Sequence, residues 1–467
     1  MYSDHLNSAP NWCYEEFANI DLKDARLDSR CQTLAVAMSA QPNVPINQAC
    51  EDWADTKAAY RFFDNDKVSS EHILSPHIQR TVERMGKHPL VLAVQDTSFL
   101  NYTHHPKTKG TGAIGTKKQK QSGFVMHSTL ALTAEGLPLG LVTQAIWPRP
   151  VDQPSKTSSE CSRQPIEEKE SYKWIQAFQK TIDLPLDETE TLTICDREAD
   201  IYEMFALAKE AKAKLLIRAS FDRALMDKSE RKLRAKVQKS PQAGLLKVAV
   251  PQSKTQPKRD AILSVRYTSV TLKPPWRPNK KKLPAVTLNV VFIREDNPPD
   301  NVEEPIEWLL LTNMCVDCLA DAVQIVKWYR CRWQIEVFHK ILKSGCVIEE
   351  CRLETAERLY PFIALKSVIA WRLHWMTYVN RHEPDAPCTA ILAEHEWQAL
   401  YMRVHRTSTL PTESPTVYEA VRWIGQLGGF LGRKHDGEPG ITVIWRGWQR
   451  LQDIAITWYL IKERTYG

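Results

Sequence analysis

The sequence predicts an α/β protein with a central mixed α/β core, a β-rich insertion in that core, and helical regions at both ends. Short apolar runs typical of buried strands, such as Leu90–Val94 and Thr191–Cys195, alternate with helical periodicity only in the middle of the chain. A chain of 467 residues is long enough for two to four domains. The expected divisions are 1–72, 73–375 with the insertion at about 221–312, and 376–467.

Composition narrows the class of protein. Hydrophobic residues make up 43% of the chain, which is enough for a substantial core, and no apolar run reaches the roughly 18 residues of a membrane span. The N-terminus lacks the basic and apolar regions of a signal peptide. The 11 cysteines are odd in number and scattered, which favours a reducing cytoplasm. Cys315 and Cys318 form a lone CxxC, so no structural zinc is expected.

Charge is distributed unevenly. The chain has a net charge of +6, from 62 basic and 56 acidic residues. Between Arg223 and Lys282 there are 17 basic and 3 acidic residues, a local net of +14. Such a block predicts a surface for a polyanion, although a solvated basic loop is the alternative.

The N-terminal region is predicted to be helical. Three helices are expected before residue 65: Trp12–Ala18, Asp24–Ala40 and Ile46–Asp64. Two pairs of basic residues share a helix face: Arg26 with Arg30, and Lys57 with Arg61. Short helices with paired basic residues suit recognition of a DNA end, but many small helical modules share this pattern. A connecting helix is expected at Lys67–Lys87.

Two core strands end at an acid. Asp96 follows Leu90–Val94, and Asp196 follows Thr191–Cys195. A carboxylate in this position is held rigidly at the edge of the sheet, where metal-binding acids are useful. Lys214–Arg218 is a third strand, with Arg218 at its exit.

The remaining elements follow from the same patterns. A hairpin is expected from Phe124–Leu132 and Leu139–Ile146, after a Gly- and Lys-rich loop. The insertion contains strands at Gly244–Val250, Ile262–Leu272 and Ala285–Arg294, and Glu307–Thr312 returns to the core. Further helices are expected at Glu167–Thr181, Leu359–Val379 and Trp448–Lys462. The last one packs on its own domain or dimerises.

Trp328–Lys343 reads as one helix because it contains no Gly or Pro and has apolar residues at helical spacing. On a helical wheel the polar residues fall within an arc of roughly 80°: Tyr329, Arg332, Glu336, Lys340 and Lys343. One carboxylate among cations suits phosphodiester chemistry. A solvated face with i,i+4 ion pairs is the alternative.

Three acids therefore stand out, namely Asp96, Asp196 and Glu336. An RNase H-like fold would bring them together, because its central strands end beside the helix that carries the last acid. Two divalent metals bridged by these acids could align an attacking and a leaving oxygen on phosphorus. Mg²⁺ suits such a site because it prefers carboxylates, waters and phosphate oxygens.

These residues resemble a known family. Asp96 in QDTS, Asp196 in CDREADIY and the spacing Y-x2-R-x3-E-x6-K from Tyr329 to Lys343 are similar to the signature of DDE-type cut-and-paste transposases of bacterial insertion sequences, in particular the transposon-five type. The resemblance covers nearly the whole chain. It includes the segments AYRFF, KESYKW, DREADI, EWLLLT, RWQIEVFHK and GGF…WRGW.

The resemblance implies roles for further residues. Asp96, Asp196 and Glu336 would be the catalytic, metal-binding triad, with Mg²⁺ as cofactor and Mn²⁺ able to substitute. Phosphate contacts would come from five side chains: Tyr329, Arg332, Lys343, Lys340 and Arg218. Trp308, for which the sequence alone favours a core tryptophan at the start of a strand, would by this resemblance stack on a flipped base. Arg26, Arg30, Lys57 and Arg61 are candidates for contacts to the DNA end.

The implied function is a dimeric DNA transposase that acts on double-stranded transposon ends and target DNA. It would be cytoplasmic, associated with the nucleoid when bound to DNA, and without a membrane partner. A hairpin intermediate would precede joining of the 3′ ends to target DNA. Two alternatives remain open: an RNase H-like nuclease without strand transfer, and a DNA-binding relative without catalytic activity.

Overall fold

The computed structural model describes residues 12–50, 52–115, 119–150, 164–250, 258–276, 282–300 and 302–465. The polar, Pro-rich stretch 148–166, which the sequence predicts to be a connection, therefore lies mostly outside the described residues. The α/β class, the central sheet and the two helical ends are confirmed.

The N-terminal region is helical, as predicted. Its helices are α1 (Trp12–Glu16), α2 (Ala25–Ala40), α3 (Ile46–Ala49), α4 (Trp53–Phe63) and α5 (Ser70–Met85). The prediction of a single helix over Ile46–Asp64 is wrong, because the backbone becomes extended at Cys50. The side chain of Asp52 then caps a new helix by accepting the N–H of Asp55 at 2.7 Å.

Ten strands of the described chain form one sheet. They are β1 (Leu90–Asn101), β2 (Gly112–Ile114), β3 (Gln121–Thr133), β4 (Pro138–Trp147), β5 (Glu190–Cys195), β6 (Lys214–Arg218), β7 (Gly244–Val250), β8 (Arg259–Leu272), β9 (Val286–Glu295) and β10 (Glu307–Thr312). Along the sheet the order is β2-β3-β1-β5-β6-β10-β9-β8-β7, with β4 also paired to β3. The antiparallel unit β4-β3-β1 followed by parallel β5 and β6 is the RNase H-like arrangement.

Two expectations about the sheet need correction. Asp96 does not follow the end of β1, because this strand continues to Asn101 along β3. Its parallel pairing with β5 nevertheless ends at Val94 and Ile194. The Gly- and Lys-rich loop, expected to be irregular, contributes the short strand β2.

The insertion continues the central sheet. Its strands β9, β8 and β7 follow β10 in antiparallel order. A helix absent from the sequence prediction, α8 (Leu233–Lys239), precedes them and buries Leu233 and Val237. The helices that pack beside the parallel strands are α6 (Tyr172–Ile182) and α7 (Tyr202–Glu210).

The predicted single helix Trp328–Lys343 is wrong in one respect. It is divided between α9 (Leu319–Arg330) and α10 (Trp333–Lys340), and a π-helical turn follows at Ile341–Gly345. Between α9 and α10, the N–H groups of Cys331 and Arg332 bond to carbonyls three residues earlier, each at 3.0 Å. The chain therefore tightens locally to 3₁₀ geometry.

The C-terminal region is helical, as predicted, with α11 (Ala356–His382), α12 (Glu394–His405), α13 (Val417–Leu427) and α14 (Ile441–Thr465). Helix α11 is continuous across the expected boundary at 375/376. On α14, Trp448, Leu451 and Ala455 are buried, and the indole N–H of Trp448 donates to the Ser39 carbonyl at 2.8 Å. This stripe packs within its own chain. Within the described residues, no helix is both long and apolar enough to cross a bilayer.

A buried ion pair connects α1 to the core. Arg84 of α5 donates to both carboxylate oxygens of Glu16 at 2.9 Å, and His77 Nδ1 lies 2.5 Å from the same carboxylate. His77 Nε2 accepts the N–H of Leu141 in β4 at 2.9 Å, so the imidazole is neutral and donates from Nδ1. Burial raises the pKa of Glu16, but His77 and Arg84 outweigh it and lower the pKa to about 2.

This pair predicts a loss of stability in acid. Because the folded pKa of Glu16 lies below its ordinary value of 4.5, its contribution is complete above pH 4.5 and is lost as the pH falls towards 2. Glu16→Gln should lower the free energy of unfolding at pH 7 by about 2–3 kcal/mol. It should also make the free energy of unfolding depend less on pH between pH 5 and pH 3. Urea denaturation at several pH values measures both effects, with the exposed Glu83→Gln on α5 as the control. An equal acid sensitivity of wild type and Glu16→Gln would contradict the prediction.

Candidate active site

Strand register places two of the predicted acids side by side. Val94 of β1 pairs with Ile194 of β5, and Ile194 pairs with Leu216 of β6. Side chains alternate along a strand, so residues two positions further on lie on the same face. In that next row are Asp96, Asp196 and Arg218. The row lies where the parallel pairing ends.

Helix α10 covers this row. Ile335 and Phe338 are buried and face the core, and Glu336 lies between them at the sheet edge. Burial raises the pKa of the Glu336 carboxyl, Arg332 opposes this, and the negative charges of Asp96 and Asp196 raise it further. The structure therefore brings the three predicted acids within each other's electrostatic field.

Tyr329 lies at the end of α9, directly over Asp196. Its hydroxyl donates to Asp196 Oδ1 at 3.2 Å. The side chain is 4% exposed, and burial together with the charge of Asp196 raises its pKa. The phenol therefore stays protonated and acts as a hydrogen-bond donor to the carboxylate.

Arg332 is the cation closest to the acids. It forms an i,i+4 ion pair with Glu336 and lies near Asp196 and Tyr329. Burial lowers the pKa of Arg332, but these three neighbours raise it above its ordinary value. The 3₁₀ turn aligns Tyr329 and Arg332, since side chains three residues apart eclipse in that geometry.

The other predicted phosphate-binding residues surround the acids. Arg218 donates to the carbonyl of Glu307 at 3.0 Å. Lys340 is exposed at the end of α10. Lys343 lies in the π-helical turn, 3.9 Å from Glu349, and burial lowers its pKa.

Trp308 packs edge-on against Tyr329. The two ring centroids are 5.0 Å apart with an interplanar angle of 68°. The indole is only partly buried, so it has one side on the core and the other available at the sheet edge. It lies on β10, two residues from Leu310, which pairs with Arg218.

The donor set suits a divalent metal, but the side chains are not gathered around one point. Carboxylate oxygens are the protein ligands that Mg²⁺ prefers, and crowded negative charge is relieved by a cation. However, no group of three or more His, Cys, Asp or Glu side chains in the described chain is arranged to hold a metal ion. Glu336 is instead paired with Arg332.

The basic residues proposed for the N-terminal region lie on α2 and α4, outside this cluster. Arg26 is exposed and pairs with Asp24 at 3.3 Å. Arg30 is paired with Asp55 at 2.8 Å and is less available for an external anion. Lys57 and Arg61 are exposed on α4. On the same helix, Trp53 and Tyr60 are also exposed.

Two residues near the acids were not among the predicted site residues. His339 Nδ1 lies 3.6 Å from Asp96 Oδ2. A wheel centred on Glu336 could have found it, because it falls only about 20° outside the polar arc. Trp333, next to Arg332, is 62% exposed. On the same wheel it falls about 20° beyond the other end of the polar arc.

Three family models match the chain. They are described as Transposase DNA-binding over residues 9–68, Transposase DDE domain over 174–373, and Transposase Tn5 dimerisation domain over 368–462. The DDE match spans the elements that carry Asp196 and Glu336, while Asp96 lies before its start.

The DDE match and the acid cluster on an RNase H-like sheet define a DDE transposase. The flanking matches to DNA-binding and Tn5 dimerisation domains narrow this class to the Tn5 type. The chain belongs to the Tn5-type transposases. It is therefore a DNA transposase with DNA-binding and dimerisation domains, of a family that generally uses a divalent metal.

The contact between Tyr329 and Asp196 can be tested through stability. Tyr329→Phe removes a buried donor and leaves the carboxylate without its hydrogen bond, which should lower the free energy of unfolding by about 1–2 kcal/mol. Urea denaturation measures the change. Tyr360→Phe is the matched control, because the Tyr360 hydroxyl has no hydrogen bond to the described residues. Equal stability of Tyr329→Phe and wild type would show that this contact contributes nothing.

Proposed function

We propose that this transposase cuts transposon ends through a hairpin intermediate and joins the freed 3′ ends to target DNA, with Mg²⁺ as the cofactor. The observation that carries the proposal is the row of Asp96 and Asp196 beneath Glu336 and Arg332. Asp96 lies in β1, Asp196 follows β5, Arg332 immediately precedes α10, and Glu336 lies on α10. The fold therefore brings acids and a cation together at one sheet edge.

Asp96, Asp196 and Glu336 are proposed to hold Mg²⁺, for which Mn²⁺ can substitute. When bound, divalent metal supplies an activated water and stabilises negative charge on the phosphate. To take part, the Glu336 side chain turns from Arg332 towards the two aspartates. Arg332 is then free to donate to a phosphate oxygen.

The same site can serve every step, because each is an in-line displacement at phosphorus. Water first cuts one strand at each end and leaves a 3′-hydroxyl. That hydroxyl attacks a phosphorus of the opposite strand and forms a new P–O bond, while the bond to the 3′-oxygen of the flanking DNA breaks, which closes a hairpin on the transposon end. Water reopens the hairpin, and the 3′-hydroxyls attack target DNA. Phosphate contacts are assigned to the surrounding polar side chains, namely Tyr329, Arg332, Lys340, Lys343 and Arg218.

Trp308 is proposed to stack on a base flipped out of the duplex during hairpin formation. Its packing against Tyr329 supports this role, because it fixes the indole plane beside the acids. Stacking on an aromatic ring contributes about 1–3 kcal/mol per base, similar to the cost of flipping. Trp333, exposed beside Arg332, is a second aromatic surface at the entrance.

The rest of the chain is assigned by its position. Residues 1–72 would bind the transposon end, 73–375 would form the catalytic core, and 376–467 would pair two protomers in the synaptic complex. Arg26, Lys57 and Arg61 are the more accessible basic residues of the first part, and Arg30 must first leave Asp55. We place the protein in the cytoplasm, on the nucleoid when it is bound to DNA.

Removal of a metal-binding acid should abolish cleavage. Asp96→Ala, Asp196→Ala or Glu336→Ala is expected to lower Mg²⁺-dependent cleavage of a duplex carrying the transposon end by more than about 10³-fold. Binding of that duplex should change little, because the proposed end contacts lie on α2 and α4. Denaturing gels and gel shifts measure the two properties. Glu210→Ala, an exposed acid at the end of α7, is the control. Nicks or hairpins in purified triad variants would contradict the assignment.

Trp308 should matter most for the hairpin step. Trp308→Ala is expected to slow hairpin formation roughly 5- to 100-fold relative to first-strand nicking. Trp308→Phe keeps a stacking ring, so hairpin formation should slow less. A time course on denaturing gels resolves nick, hairpin and joined products. Equal hairpin rates for all three proteins would remove the stacking role.

Nicks without hairpins or joining in the wild type would favour a nuclease without strand transfer. Specific binding without cleavage would favour an inactive DNA-binding relative.

A further inference from the structure

Two of the three acids have a partner already described. The hydroxyl of Tyr329 donates to Asp196, and Arg332 pairs with Glu336. Both partners come from one short stretch at the junction of α9 and α10. The question is what holds the carboxylate of Asp96, which lies in the middle of β1 and has no hydrogen bond to the described residues.

His339 is the basic side chain that contacts Asp96. It lies on α10, one turn after Glu336, and its Nδ1 is 3.6 Å from Asp96 Oδ2. A small rotation of either side chain brings this pair to hydrogen-bond distance. The imidazole is 7% exposed and the carboxylate 20%, so water competes weakly for the contact.

The chemistry of the pair fixes which ring nitrogen carries the proton. An ionised carboxylate only accepts hydrogen bonds, so the nitrogen that faces it must donate. To hydrogen-bond this carboxylate, His339 must carry a proton on Nδ1. Nε2 has no hydrogen-bond partner in the described chain. The polar contact of this imidazole is thus directed at Asp96.

A purely structural role explains this residue less well. On the same helix, the buried neighbours Ile335 and Phe338 are apolar and satisfy packing alone. Burying an imidazole with an unpartnered nitrogen costs free energy that Leu would avoid. A role as hydrogen-bond donor to Asp96, a proposed metal-binding acid, accounts for a polar side chain at position 339.

We propose that His339 is a positioning residue that holds the Asp96 carboxylate, through Nδ1–H, in the orientation that binds the divalent metal. This inference rests on the proposed function and extends it. Side chains that orient metal ligands commonly change metal affinity about 10- to 100-fold when they are removed. Metal affinity is therefore the property that separates positioning from packing.

The test compares three full-length variants. His339→Leu removes the donor and keeps an apolar side chain. His339→Asn keeps an amide N–H near the position of Nδ1. His374→Leu on α11 is the matched control, because His374 is also fully buried and has one unpartnered nitrogen, but its contact is Gln334. Free Mn²⁺ in a titration, followed by electron paramagnetic resonance, gives the dissociation constant without DNA or turnover.

We expect His339→Leu to weaken Mn²⁺ binding about 10-fold or more and to raise the Mn²⁺ concentration for half-maximal cleavage equally. His339→Asn should stay within about threefold of wild type, and His374→Leu should lower the melting temperature without changing Mn²⁺ affinity. Wild-type affinity in His339→Leu would overturn the inference. Equal losses in His339→Leu and His339→Asn, or in His374→Leu, would also overturn it. A wild-type protein that neither binds Mn²⁺ nor cleaves DNA would overturn the proposed function itself.

Discussion

The site depends on holding three carboxylates together at one partly buried sheet edge. Burial and mutual repulsion both oppose ionisation, which is why the pKa of Glu336 is raised. Arg332 is the main compensation, since it lies near Asp196 and pairs with Glu336. The positive charge of Arg332 and the negative charges of the acids thus stabilise each other. A divalent metal would replace part of the positive charge that Arg332 supplies.

The change in helical geometry after α9 follows from this requirement. Tyr329 must reach Asp196 from above, while Ile335 and Phe338 must face the core from α10. A continuous α-helix advances about 100° per residue, and the 3₁₀ turn at Cys331–Arg332 advances about 120°. The tighter turn rotates α10 relative to α9, so that both sets of contacts form. Downstream, the π-helical turn changes the direction of Lys343 in the opposite sense.

Much of the fold follows from local pattern, but the site requires long-range pairing. The apolar run before Asp196 predicts β5 to within one residue of its start. By contrast, nothing near Asp96 shows that β1 continues beyond it, because that extension is stabilised by β3 some 30 residues later. The division of Trp328–Lys343 was also invisible. It contains no Gly or Pro, and the contact that Tyr329 makes beside the break is with Asp196, which is 133 residues away in sequence.

The three parts of the chain share one hydrophobic core, and this affects how DNA binding relates to cleavage. Residues of α2, the sheet and α14 belong to the same buried cluster. Polar contacts cross between these parts, as in the pair of Glu16 with Arg84 and the bond from Lys366 Nζ to the Pro42 carbonyl at 2.9 Å.

Because protein interiors are close-packed, such contacts fix relative positions instead of allowing gradual drift. An end duplex held on α2 and α4 would therefore meet the acids at a distance set by the core. In the proposed arrangement, the N-terminal helices would determine which phosphate reaches the site, and the row of Asp96 and Asp196 would determine what happens to it. Substitutions of the proposed end-binding residues on α2 and α4 would then alter DNA binding without altering the chemistry of the acids. The ion pair of Glu16 with Arg84 is one of the contacts that join the N-terminal helices to the core, although Glu16 lies outside the acid cluster.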